Sequence, residues 1–279
     1  RGDTRIPPAP ALRESPDPRG DTRIPPAPAL GEPIRAADGP HAFRTRVLVK
    51  VQDGCDRRCA YCIVPDARGA PRSAPASEVL ARVRGLVRAG AVEIVLTGIN
   101  IGRYADEAAG ISGLAGLLDA LAGSGIRRVR ISSIEPLDVT DALAASLTAH
   151  ADLVAPHLHV PLQSGCDRTL AEMGRGYDSA DFAGALARAR EAIPGVAVTT
   201  DVIVGFPGES DADFESSLAF VEACGFARLH VFRYSRRSGT AAASRDDHVA
   251  PKVVAQRAAA MRALSERLAA EYRRARDGR

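Results

Sequence analysis

The sequence has no Trp, two Met and only 4% aromatic residues among its 279 positions. A core must therefore be filled by Ala, Val and Leu, for which the 46% hydrophobic content is sufficient. No apolar run approaches the roughly 18 residues that a membrane-spanning helix requires. The Arg- and Pro-rich start lacks the apolar segment of a secretory signal. These absences lead us to expect a cytoplasmic protein without a membrane partner. Cysteines are few, five in all, an odd number with three inside eight residues. Such crowding defeats a regular disulfide framework and points to metal or redox chemistry.

Net charge is a small +3, unevenly distributed: +5 over residues 252–279 and +2 over residues 1–46, which leaves −4 for the middle. A basic tail suits contact with RNA phosphates, and equally a solvated Arg-rich helix without a partner.

Ten of the 19 prolines fall within the first 40 residues, where RGDTRIPPAPAL occurs twice, at 1–12 and at 19–30. That density is incompatible with helix or sheet, so a disordered arm is expected over residues 1–40. A barrel is expected over 41–250 and a basic helix over 251–279. Apolar β-rich runs recur at Val47–Val51, Val92–Leu96, Val129–Ile131, Leu158–Val160, Val196–Val204 and Leu229–Phe232. Between them lie helical patterns. One is capped by Ser77 and carries Val79, Val83, Leu86 and Val87 on one face; a second carries Leu114, Leu117, Leu118 and Leu121. Others span Thr140–Ala149, Ser179–Ala192 and Asp211–Ala223, the last ended by Gly225, and a final helix covers Pro251–Arg274. Six β/α repeats give an α/β fold with a parallel sheet, curved by right-handed crossovers into a full or partial (β/α)6 barrel of the TIM type.

Each strand runs directly into a polar or Gly-rich cluster. These are Asp53-Gly54-Cys55, Thr97-Gly98-Ile99-Asn100, Ser132-Ser133-Ile134-Glu135-Pro136, Pro161-Leu162-Gln163-Ser164-Gly165, Gly205-Phe206-Pro207-Gly208-Glu209 and Tyr234-Ser235-Arg236. In a β/α barrel these turns share the face on which active sites lie. The first leads into Cys55-x3-Cys59-x2-Cys62. A structural zinc site takes four protein ligands, and no fourth Cys or His lies nearby in the sequence. Three thiolates fit a four-iron cluster with one iron left open; zinc or inert thiols are the alternatives.

The spacing of the three cysteines resembles the signature of the radical S-adenosylmethionine superfamily. Further motifs narrow the resemblance to its methylthiotransferases: VQDGCDRRCAYCIVPDARG (51–69), VLTGINIGRY (95–104), RISSIEP (130–136), HVPLQSGCDRTLAEMGRGY (159–177), TDVIVGFPGES (200–210) and FRYSRRSGT (232–240). The SSIEP version is similar to the tRNA enzymes that act on N6-threonylcarbamoyladenosine beside the anticodon. The resemblance implies one [4Fe–4S] cluster on Cys55, Cys59 and Cys62, its open iron chelated by S-adenosylmethionine. One electron then cleaves that cofactor to a 5′-deoxyadenosyl radical. It also implies cofactor contacts for Tyr61, Thr97, Gly98, Asn100, Ser133, Glu135, Gln163, Asp201 and Gly205. Met173, Arg175 and Tyr177 are expected to shape the pocket, although Met173 fits a core position equally, and His157 and His159 fit structural roles. Implied partners are the tRNA anticodon arm and an electron donor such as a flavodoxin or ferredoxin. Other readings are a methylthiotransferase of isopentenyl-adenosine tRNA, another single-cluster radical enzyme, and a degenerate RNA-binding core without catalysis.

Two departures from the family pattern are local: Cys166 stands where relatives commonly have Ser, and Asp66 where they have Tyr. A larger one concerns domains. Family members carry an amino-terminal domain with three more cysteines for a second cluster, and a carboxy-terminal β-barrel that binds RNA. Residues 1–46 hold no Cys and the sequence ends at Arg279. Both domains are therefore expected to be absent, in a truncated product, a fragment, or one half of a split enzyme whose separate partner supplies the second cluster.

Overall fold

The computed structural model describes residues 46–277. The expected arm over residues 1–40 lies outside them. Six strands appear where the apolar runs predict them: Val47–Lys50 (β1), Glu93–Thr97 (β2), Arg128–Ile131 (β3), His157–His159 (β4), Ala197–Val204 (β5) and Arg228–Arg233 (β6). All run parallel, in two three-stranded sheets, β1-β2-β3 and β4-β5-β6. The sheets are stitched together by bridges from Val129 to Val154 and from Ser133 to His159. The Ile134 N–H donates to the His159 carbonyl at 2.9 Å across the seam. Strand order is therefore sequence order, and among the described residues β1 and β6 do not pair. Of the two expected forms, the barrel is the partial one.

Eight helices connect and cover the strands: Val64–Arg68 (α1), Ala76–Arg88 (α2), Gly113–Leu121 (α3), Asp141–Ala149 (α4), Asp167–Glu172 (α5), Ser179–Ala192 (α6), Asp211–Cys224 (α7) and Pro251–Arg274 (α8). Local chemistry sets their ends. Thr140 accepts from the Leu143 N–H, while Asp178 and Ser210 each form a reciprocal capping box with an Asp three residues on. Gly225 ends α7 in the left-handed conformation. Ser77 is a correction: α2 begins at Ala76 after Pro75, and Ser77 lies inside its first turn. Pro75 presets the chain at that point without donating a side-chain bond. The short α1 and α5 and the hairpin of Gln52–Asp53 with Arg72–Ser73 were not anticipated, being too short to show a period.

The two faces of the sheet differ. Along β5, Val198, Thr200, Val202 and Val204 are buried toward the helices, whereas Ala197, Thr199, Asp201 and Ile203 face inward and are only half-buried. The helix-facing side joins the stripe of α3 (Leu114, Leu117, Leu118, Leu121) and α8 (Met261, Leu264, Leu268) in one continuous core. Phe182 of α6 is fully buried there, edge-on to Phe220 and Phe226 with ring centroids 6.2 and 5.9 Å away. With so few aromatics, this trio fills space that Ala-rich helices leave open. Phe182→Ala is expected to lower the unfolding free energy by ~3–5 kcal/mol. The readout is the urea midpoint at constant m; an unshifted midpoint would show that α6 is not packed on the trio.

Candidate active site at the strand mouths

The cysteine loop leaves β1 through a clasp. Gln52, fully buried, donates from Nε2 to the carbonyls of Asp53 and Gly54, both at 2.8 Å, and accepts the Asn100 N–H on Oε1 at 2.7 Å. One side chain therefore fixes the cysteine loop against the turn after β2. Gly54 has φ +75°, and a Cβ there would meet the Ala70 carbonyl oxygen at 2.1 Å, so only glycine fits. Gly98 is held as tightly, since a Cβ would lie 2.7 Å from Ile101 Cγ2 and 2.9 Å from the Gln52 oxygen.

Cys59 is buried, and Cys55 and Cys62 are half-buried; all three are free thiols. Burial pushes the Cys55 and Cys62 thiols above their ordinary range. Cys59 Sγ accepts from Arg175 Nη1 at 3.2 Å. Arg175 is 3% exposed and its other donors are used: Nη1 also reaches Tyr61 Oη at 3.1 Å, Nη2 Glu135 Oε2 at 2.5 Å, and Nε Tyr177 Oη at 3.0 Å. Tyr177 in turn donates to the carbonyls of Pro161 and Leu162. Desolvation alone would lower the Arg175 pKa, but the surrounding phenols, carboxylate and thiol raise it, so the guanidinium stays charged. Burial raises Tyr61 well above a normal phenol and Tyr177 to about 12.

The expected site residues fall into distinct places. Tyr61, Cys62, Gln163 and Asp201 line one cavity of about 340 Å³ at the mouths of β5 and β6, together with Phe232, Tyr234 and Arg237. Gln163 is the only non-glycine residue with positive φ, at 70°, among the described residues, and its backbone bridges Val202. A non-glycine backbone rarely takes that conformation, which here is held by the bridge to Val202. Thr97, Gly98 and Asn100 form the neighbouring turn over Gln52; Asn100 is 3% exposed, and neither its Oδ1 nor its Nδ2 has a partner. Glu135 belongs to the Arg175 cluster and also faces Arg57 at 3.9 Å. Ser133 is exposed at the seam, whereas the Ser132 hydroxyl is buried and unpartnered. Gly205, φ +75°, is a turn packed from behind: a Cβ would meet Val254 of α8 at 2.5 Å. Its N–H donates to Glu209 Oε2 at 2.7 Å, which also takes the buried Arg257.

Met173 is fully buried against Phe206 and Ala242, with Tyr61 and Tyr234 beside them. His159 links Thr199 (2.9 Å) to Asp201 (3.2 Å) on the inner face, and burial drives His157 down to about 4, so it is neutral. Asp66 is exposed and paired with Arg58. Cys166 donates to Asp213 at 3.3 Å, and Cys224 lies buried at the end of α7, so neither joins the loop thiols. Phe232, Tyr234 and Arg237 were missed as individual residues, although the motif FRYSRRSGT contains them.

The donor set can be tested against what it would hold. Among the described residues no three His, Cys, Asp or Glu side chains are grouped to bind a single ion. A multi-iron cluster takes one thiolate per iron, so the free thiols of Cys55, Cys59 and Cys62 on one loop suit it without a fourth protein ligand. The orphaned Asn100 amide, on the turn that Gln52 ties to the cysteine loop, suits a polar ligand, since a buried unpaired amide is otherwise costly.

Asp53 anchors the loop's other end. It is fully buried; burial would raise its pKa, but the Lys50 ammonium and the Gly54 N–H bound to it hold the carboxyl below the usual range. A depressed pKa stabilises the fold above the unfolded value near 3.9 and ceases to do so as pH falls through the folded one. Asp53→Asn should therefore lower the thermal midpoint at pH 7, with the deficit shrinking below about pH 4; a deficit independent of pH would contradict this.

The family model of the radical SAM superfamily matches residues 49–221. The threonylcarbamoyladenosine tRNA methylthiotransferase of Bacillus subtilis is 44% identical over 231 residues, 82% of this chain and 51% of that protein. The tRNA-2-methylthio-N(6)-dimethylallyladenosine synthase of Thermobifida fusca is 42% identical, over 80% of this chain and 45% of that protein. The chain thus spans about half the length of the curated relatives it matches. A radical S-adenosylmethionine methyltransferase from Kitasatospora setae, solved with cobalamin and a [4Fe–4S] cluster bound, has a TM-score of 0.57 at 16% identity, covering 71% of this chain and 38% of that one. That likeness concerns the fold alone. The chain belongs to the radical SAM superfamily, whose cofactors are a [4Fe–4S] cluster and S-adenosylmethionine.

Proposed function

We propose that this chain is the radical core of a tRNA methylthiotransferase acting on N6-threonylcarbamoyladenosine beside the anticodon. The observation that carries the reading is the convergence of the motif segments 51–69, 159–177, 200–210 and 232–240 on one mouth, lined by Tyr61, Cys62, Gln163, Asp201 and Phe232. The similarity to the Bacillus enzyme supports the choice of modified base. The related dimethylallyladenosine enzymes make that tRNA the second reading.

In this reading Cys55, Cys59 and Cys62 hold three irons of the cluster. When bound, the cluster and S-adenosylmethionine together supply a 5′-deoxyadenosyl radical from one added electron. Asn100 offers its unpaired amide, and Thr97 and Gly98 their backbone, to the methionine end of the cofactor. Tyr61, Gln163 and Asp201 line the space for its nucleoside. Glu135, fixed by Arg175, closes the site toward β3, while Ser133 and Gly205 flank it from the seam and from the turn after β5. The Phe232 ring, 49% exposed, and the Arg237 guanidinium offer a stacking surface and a cation for an entering nucleotide. An external one-electron donor of the flavodoxin or ferredoxin kind and a sulfur source in a further protein segment or separate partner complete the reaction. No helix among the described residues is long and apolar enough to cross a membrane.

Mass spectrometry of tRNA nucleosides from a deletion strain should show the 2-methylthio derivative of threonylcarbamoyladenosine lost and restored on complementation; an unchanged level refutes the substrate. Anaerobic reconstitution should load about four irons per chain and release 5′-deoxyadenosine. Alanine at Cys55, Cys59 or Cys62 should abolish that release, whereas Cys166→Ser and Cys224→Ser should keep the iron. An active loop variant would show the ligands to be misassigned.

A further inference from the structure

Arg175 is placed to do more than shape a pocket. Its Nη1 is 3.2 Å from Cys59 Sγ and its Nη2 is 2.5 Å from Glu135 Oε2, so the guanidinium stands between sulfur and carboxylate and donates to both. At 3% exposure water does little to screen it. Arg57, 3.9 Å from the same carboxylate oxygen, further offsets the negative charge behind it. Cluster potentials are set by hydrogen bonds to the ligand sulfurs, by nearby charge and by solvent exposure.

We propose that Arg175 is a positioning residue that raises the reduction potential of the cluster through its charged hydrogen bond to Cys59. The proposal rests on the assignment of Cys59 as a cluster ligand. The step concerned takes one electron from an external donor, carries the cluster from the 2+ to the 1+ state, breaks no bond and moves no proton. The added negative charge spreads onto the ligand sulfurs. A fixed cation one hydrogen bond away stabilises the reduced form more than the oxidised one. Tyr61 and Tyr177, both bonded to Arg175, hold the guanidinium in this position.

The test compares reconstituted wild type, Arg175→Gln, Arg175→Lys and Glu135→Gln, the full chain in each case. Iron content is measured alongside potentiometric titration with dithionite, followed by electron paramagnetic resonance. Arg175→Gln keeps a donor but loses the charge. Its reduction equilibrium should fall by at least about tenfold, ~59 mV for one electron, with iron retained, and Arg175→Lys should restore part of the loss. Glu135→Gln removes the opposing charge and should shift the potential upward; the partial rescue by Arg175→Lys is the outcome that a purely structural role for Arg175 does not produce. An unmoved potential in iron-loaded Arg175→Gln overturns the proposal. If that variant loses iron, Glu135→Gln decides, and a potential that does not rise overturns it. A wild-type chain that binds no iron overturns the cluster assignment itself and this proposal with it.

Discussion

The mouth of the barrel depends on one buried cation. Arg175 joins the cysteine loop (Cys59, Tyr61), the turn after β3 (Glu135) and, through Tyr177, the turn after β4 (Pro161, Leu162). These segments are far apart in sequence, and apart from the Ser133–His159 bridge between the second and third of them no strand pairing is described that joins them here. A guanidinium has five donors in a rigid plane, so it can bind more partners, and at fixed angles, than the three donors of an ammonium on a flexible stem. Burying such a charge is costly unless its hydrogen bonds are made. Here each nitrogen has a partner, so the loop that carries the thiols is tied to the rest of the fold by a group that tolerates little displacement.

The second constraint is the direction of the strands. Because all six run parallel, every strand delivers its following turn to the same end, and functional side chains from turns more than a hundred residues apart meet there. The inner face is accordingly polar. Arg130 and Arg46 surround Glu93 at 3.0 Å each at one end, while Thr199, His159 and Asp201 form a hydrogen-bonded line toward the other. Apolar burial against the helices supplies the stability, which leaves the inner face free to carry chemistry.

Much of this was legible before any coordinates. The six strands lie within one or two residues of the apolar runs, because β-branched residues bounded by Gly and polar clusters admit few other readings. Helix α8 begins and ends where the sequence suggests, since Pro251 can only sit in a first turn. The cysteine loop was conspicuous from its spacing. The clasp made by Gln52 was not: a lone glutamine next to Asp53 shows nothing in the sequence of its meeting with Asn100. The same holds for Arg175, whose partners come from three separate turns. The Ser77 expectation failed because a Ser near a helix start is a cap only if the backbone is still extended there, and the last extended residue is Pro75, the helix having begun at Ala76. Asn100 and Ser133 look alike in sequence and differ in the fold. Motif position located both at the mouth, but only coordinates separate a buried, unsatisfied amide from an exposed hydroxyl.

The unclosed seam between the first and last strands has a further consequence. β1 carries Leu48, 53% exposed, and β6 carries Phe232, 49% exposed; the outer backbone row of each pairs with no strand among the described residues, although on β6 the Leu229 N–H and carbonyl are held by Ser265 of α8. Bare strand margins attract further strands, whether from another region of the polypeptide or from a duplicate molecule. Access to the inner face and stickiness at this margin therefore come from the same missing hydrogen bonds.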